Sequence, residues 1–99
     1  MYYTMMFEWD ENKNRRNIEI HGIDFVRAKE IWGGEVLEIP STQSEHGEER
    51  FLAIGAIGPK ELIITVVFVW RGDRRRLISA RRARNYERKS YQETFGRGS

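Results

Sequence analysis

Cysteine is absent from this 99-residue chain, which excludes disulfides and thiolate-bound metal. Imidazole is nearly absent too. Only His21 and His46 offer it, with no cluster of carboxylates beside either, so neither a metal nor another cofactor is expected. Long apolar runs are missing as well. The longest, Leu62 to Trp70, is nine residues, about half of what a membrane-crossing helix needs. Residues 1–6 lack the charged-then-apolar pattern of a secretory leader. The chain therefore reads as cytoplasmic, with one domain over residues 1–95 and a flexible tail over 96–99.

Arginine, by contrast, is abundant and unevenly placed. Seven of the fifteen positions from Arg74 to Arg88 are arginine. They continue an apolar strand, Leu77-Ile78-Ser79-Ala80, rather than a low-complexity tail. Residues 1–70 hold 7 Lys and Arg against 12 Asp and Glu, a net of −5, whereas residues 71–99 hold 10 against 3, a net of +7. A basic third on an acidic body suits a polyanion or a charged protein partner. The plain alternative is a solvated basic face.

Along the chain, residues 4–9 suit a first strand. Asp10 is a helix N-cap, opening a helix from Glu11 to about His21 that Gly22 stops. Asn12, Asn14 and Asn17 are weak helix formers, so this helix needs tertiary support. Asp24 caps a second helix, Phe25 to Trp32, whose stripe Phe25, Ala28, Ile31 and Trp32 faces the core. Val36 to Ile39 is a short strand stopped by Pro40, and residues 41–49 read as a polar loop holding His46. Arg50 to Ile57 and Leu62 to Trp70 form a hairpin, the second strand central in the sheet. After the turn Arg71-Gly72-Asp73 come a strand, Arg74 to Ala80, and a helix from Ala83 to about Glu93. The fold class is α+β: an antiparallel twisted sheet, two N-terminal helices and one C-terminal helix.

Three separated segments carry a family resemblance. Phe7-Glu8-Trp9-Asp10 with Lys13, Asn17 and His21-Gly22 is one. Glu48-Glu49-Arg50-Phe51 is the second. Arg71-Gly72-Asp73, then Ile78-Ser79-Ala80-Arg81-Arg82-Ala83 and Glu87, is the third. Together, over residues 6–91, the chain resembles BrnT-type toxins of type II toxin–antitoxin systems. Ile20 stands where such toxins usually have Lys. The resemblance implies a RelE/ParE-like fold, a ribonuclease that shuts down translation, and neutralisation by a BrnA-type antitoxin that brings a DNA-binding domain.

Metal-free RNA cleavage needs a proton acceptor for the ribose 2′-hydroxyl, cations on the phosphorane and a proton donor for the leaving oxygen. Arg81 is the first choice for phosphate stabilisation, with Ser79 projecting beside it; Ser79 equally suits a cap for the last helix. Lys13, Asn17 and His21 form one row on the first helix, either meeting RNA with His21 exchanging protons or facing solvent. Arg50 either holds phosphate or pairs with a nearby acid. His21, Arg50, Ser79 and Arg81 are thus the catalytic candidates. Lys13, Asn17, Arg71, Arg74, Arg76, Arg82 and Arg84 are the RNA-binding candidates. Strict alternation puts Arg74, Arg76, Ile78 and Ala80 on one face of their strand and Arg75, Leu77, Ser79 and Arg81 on the other. The last helix has few aliphatic residues and is expected to dock weakly. A non-catalytic nucleic-acid binder and a protein-docking module are the competing functions.

Overall fold

Strand β1 is Tyr2–Tyr3, β2 is Phe7–Trp9 and helix α1 is Glu11–His21. Helix α2, Phe25–Ala28, runs into a 3-10 helix, Lys29–Gly33. Strands β3 (Val36–Glu45), β4 (Glu48–Ile57), β5 (Leu62–Arg71) and β6 (Arg74–Arg82) precede helix α3, Asn85–Phe95. The computed structural model describes residues 2–3, 6–45 and 47–96. His46, the start of the expected first strand at residues 4–5, and residues 97–99 of the expected tail lie outside that range.

The helix starts follow their side chains. Asp10 accepts from the Asn12 N–H, and Asp24 from the Val26 N–H. Gly22, at φ 72°, ends α1 in the left-handed region that suits glycine. The support that α1 needs comes from its own asparagines. Asn14 accepts from the Phe25 N–H and donates to Asp24, both from a buried side chain. Asn17 is buried as well, and its role bears on the site.

The six strands form one sheet in the order β1-β2-β6-β5-β4-β3. The sheet is mixed rather than antiparallel, because β2 lies parallel to β6, pairing Phe7 with Arg75 and Glu8 with Arg76. Short hairpin loops fix the antiparallel sense of β3 to β6. No such loop constrains β2, which leads into two helices. The expected loop at 41–49 is mostly strand: β3 continues to Glu45, with an irregularity between Pro40 and Ser44. An edge strand has one side without a ladder, so proline is tolerated there. The second helix is shorter than expected, and its tighter continuation sets Ile31 directly on Gly55 of β4. Helix α3 begins two residues later than expected.

Two cores result. The larger lies under α1, α2 and the 3-10 helix, where Trp9, Phe25, Ala28, Ile31, Phe68 and Leu77 are fully or almost fully buried. Across the sheet, Ile54, Ala83 and Tyr91 pack under α3. Strand β5 lies between β4 and β6, with Ile64, Val66 and Phe68 buried on one face and Thr65 and Val69 on the other.

Candidate active site

A bulge in β6 decides which arginines share a face. Ser79 pairs with Val67, but Leu77 pairs with Phe68, so Ile78 is an extra residue. The extra residue shifts the alternation by one. Leu77 and Ala80 therefore enter the same core, against the strict alternation expected from sequence. Arg76 joins Ser79 and Arg81 on the α3 face, while Arg75 and Arg82 point to the other. Bulges commonly re-aim side chains near active sites in this way.

On the α3 face, Arg50 from β4, Ser79 and Arg81 from β6, and Arg84 and Tyr86 from the start of α3 line a cleft of about 370 Å³. Its floor is Leu52 and Val67, and its outer wall is Ser41 and Thr42 at the irregular part of β3. Four of the residues singled out from sequence thus meet: Arg50, Ser79, Arg81 and Arg84. Ser79 sits mid-strand and does not cap α3, which starts at Asn85.

Arg81 does not stand alone. Its Nη1 and Nη2 donate to the two carboxylate oxygens of Glu87 at 2.8 and 2.9 Å. Glu87 is buried, and it also accepts from the Thr65 hydroxyl at 2.9 Å and the Arg84 N–H at 2.7 Å. Burial by itself raises a carboxyl's pKa. Here the hydrogen bonds from Arg81, Arg84 and Thr65 outweigh it and bring Glu87 down to about 2. In return, the bond to Glu87 raises Arg81 above the ordinary arginine value. Nη1 also donates to the Arg82 carbonyl at 3.3 Å, so the guanidinium is anchored by three bonds and the rest of its fork is held in orientation. Glu87 also ties the first turn of α3 to β5 and β6, so one buried acid orders the whole wall of the cleft. Tyr91 adds an anchor one helical turn on, donating its hydroxyl to the Glu35 carbonyl. Helix α3 is therefore pinned by polar groups where aliphatic ones are scarce.

The remaining candidates are dispersed. Asn17 departs most from the expected surface row. Its Nδ2 donates to the carbonyls of Ile23 and Ala80 at 2.8 Å each, and its Oδ1 accepts from the Ala80 N–H at 3.0 Å. The side chain acts as a substitute strand for the edge of β6 beyond short β2. Lys13 and His21 are exposed and line a separate concavity at that edge with Arg16, Ile20 and Ser79. Arg16 brings a cation to the hollow where Ile20 brings none. Arg71 is ion-paired with Glu48, and Arg76 with Glu8 at 2.8 Å. Arg74 sits opposite Arg71 at the β5–β6 turn, away from the cleft. Arg82 lies on the opposite face of the sheet.

Arg75 illustrates how firmly this basic segment is tied down. Its guanidinium lies 4.5 Å from the Trp70 ring centroid and 5.1 Å from that of Trp32. It also donates to Glu38 at 2.8 Å, an acid that Trp32 Nε1 reaches at 2.6 Å. Trp70 is 41% exposed, and this cation–π contact covers part of it. Among the described residues, no three His, Asp or Glu side chains gather to hold a metal, and no helix is long and apolar enough to cross a membrane.

The model of the BrnT family, the ribonuclease toxin of type II toxin–antitoxin systems, matches residues 9–87. The chain belongs to the BrnT family. It is a ribonuclease toxin of a type II toxin–antitoxin system, with RNA as substrate and a cognate antitoxin as partner. No curated protein matches the chain individually. The BrnT match spans every residue lining the cleft and ends on Glu87, the acid beneath it. Tyr86, Ser41 and Thr42 are cleft residues that the sequence patterns do not pick out. Tyr86 was legible in principle, two residues beyond an arginine at a helix start. The β3 pair was hidden behind Pro40.

Proposed function

We propose that this toxin cuts RNA in the cleft between β4, β6 and the start of α3. The observation that carries this reading is the convergence of Arg50, Arg81 and Arg84 with Ser79 and Tyr86 on one concavity. RNA is cleaved by its own 2′-hydroxyl: the oxygen attacks the adjacent phosphorus, the 5′ oxygen leaves, and a cyclic phosphate remains. Arg50 and Arg84 supply cationic donors to the phosphorane oxygens, and Arg81 supplies donors whose direction Glu87 has already fixed. Charge of this kind takes the place of a metal.

Proton transfer is assigned to Tyr86. Its phenol is 59% exposed and lines the cleft, where no imidazole or carboxylate does among the described residues. Its phenol gives a proton to the leaving 5′ oxygen, and the phenolate so formed recovers one, through water, from the attacking 2′-hydroxyl. His21 is not required, since it lines the neighbouring hollow.

The test is cleavage of bulk RNA by purified protein in EDTA. Arg50→Ala and Tyr86→Phe are each expected to lose activity about 100-fold while keeping the wild-type melting temperature. Full activity in both variants, or loss of wild-type activity in EDTA, rejects the reading. The finer family features extend the proposal: a RelE/ParE-like fold, action in the cytoplasm on translation, and a BrnA-like antitoxin bearing a DNA-binding domain. The helices before the strand meander and the single helix after it support the first.

A further inference from the structure

On the face opposite the cleft, three cations from separate elements converge on one concavity. Arg27 comes from α2, Lys60 from the β4–β5 turn and Arg82 from the end of β6, lining about 480 Å³ with Ile57, Pro59 and Leu62. All three are exposed. Among the described residues none of the three is ion-paired. Arg71, Arg75, Arg76 and Arg81 each hold a carboxylate, so this group differs from them. Like charges gathered in one hollow create a positive potential that an anion relieves.

The backbone is shaped to allow this gathering. Gly58 turns the chain at φ 75°, and a Cβ there would lie 2.7 Å from Arg27 Nη2. Its absence lets the guanidinium rest against the turn that carries Lys60. Arg81 and Arg82 are consecutive on β6 and so point to opposite faces. The cleft and this hollow therefore share the end of one strand, back to back. A single polyanionic strand leaving the cleft around that end meets the hollow next.

We propose that Arg27, Lys60 and Arg82 form a second anion site, which holds a backbone phosphate of the RNA some nucleotides away from the bond being cut. This rests on the cleft being the cleavage site. Guanidinium forks suit phosphate oxygens, and contacts to the backbone carry no sequence preference. The site therefore acts on affinity for long strands and not on the chemical step.

The experiment uses two fully 2′-O-methylated RNAs, which bind without supplying the attacking hydroxyl: one long single strand, and one only long enough to fill the cleft. Arg27→Ala/Arg82→Ala is expected to weaken binding of the long strand about tenfold at low salt. The slope of log K against log salt should be shallower by about 0.7, as expected when one fewer phosphate of a single strand is neutralised. Binding of the short strand stays at the wild-type value, and so does kcat on an unmodified short RNA. Lys60→Ala, at an exposed turn, gives the same pattern more weakly and serves if the double variant fails to fold. Unchanged long-strand binding overturns the proposal, as does equal weakening for both lengths. Unchanged RNA binding together with failed neutralisation by antitoxin also overturns it and makes the hollow a protein-docking site. Failure of the cleft reading is seen separately, in Arg50→Ala and Tyr86→Phe acting on the short RNA.

Discussion

Glu87 is the residue on which the cleft depends, although it never faces the cleft itself. A carboxylate with a pKa of about 2 in the fold and 4.5 as its ordinary value binds fewer protons folded than unfolded near pH 3. Its contribution to stability is therefore complete above pH 4.5 and is lost as pH falls from there toward 2. Linkage puts that contribution at roughly 3 kcal/mol. Glu87→Gln is expected to lower unfolding free energy by about that much at pH 7, because Arg81 is left without its charge partner. The gap from wild type should close between pH 4.5 and 2 in urea titrations. A gap that stays constant across that range would show that Glu87 acts by shape alone. Arg81 and Ser79 were visible in the sequence as chemistry-bearing residues, and they do reach the cleft. Their buried partner was visible only as part of a motif, since nothing in a linear reading sets Glu87 under Arg81 and against Thr65.

Among the elements, the 3-10 helix is held by a close approach that only glycine permits. A Cβ on Gly55 would fall 2.7 Å from Ile31 Cβ, an atom fixed to backbone and unable to swing away. Gly55→Ala is expected to cost about 2 kcal/mol by overpacking, measured as a lower urea midpoint. Combined with Ile31→Gly, which removes that Cβ, it should cost less than the two single changes summed. Capping aspartates, the stripe Phe25, Ala28, Ile31 and Trp32, and the hairpin at Gly58-Pro59 were all readable, because each is a local pattern with a local cause. The long β3 was not. Its proline and polar residues look like a loop, and only its place at the sheet edge makes them compatible with a strand. The bulge at Ile78 was equally hidden, since alternation in sequence carries no mark of an inserted residue.

At the scale of the whole molecule, part of the uneven charge of the sequence is folded back on itself. Arg71, Arg75 and Arg76 meet Glu48, Glu38 and Glu8, which joins the basic third to the acidic body. Composition revealed the asymmetry correctly, but not which cations stay available. The other long-range tie is Asn17, which holds β6 at Ala80 across 63 residues of sequence. Asn17→Ala leaves the Ala80 N–H and two carbonyls without that partner, and about 3 kcal/mol of stability should go with them. Asn17→Asp is expected to be at least as damaging at neutral pH, because a carboxylate oxygen then faces two carbonyl oxygens. Thermal melts of both variants check this, and wild-type stability in the aspartate variant would refute the assigned bonding.

The parallel seam between β2 and β6, with the Asn17 tie beside it, also sets when in synthesis the cleft can be assembled. A ribosome that has released everything up to the β4–β5 hairpin has delivered neither Ser79, Arg81 nor the helix that walls the cleft, and α1 has no strand to grip. The cleft can form only late in synthesis, once residues 75–87 have emerged and swung back beside the first strands. A nascent chain interrupted before residue 75 therefore carries no assembled cleft.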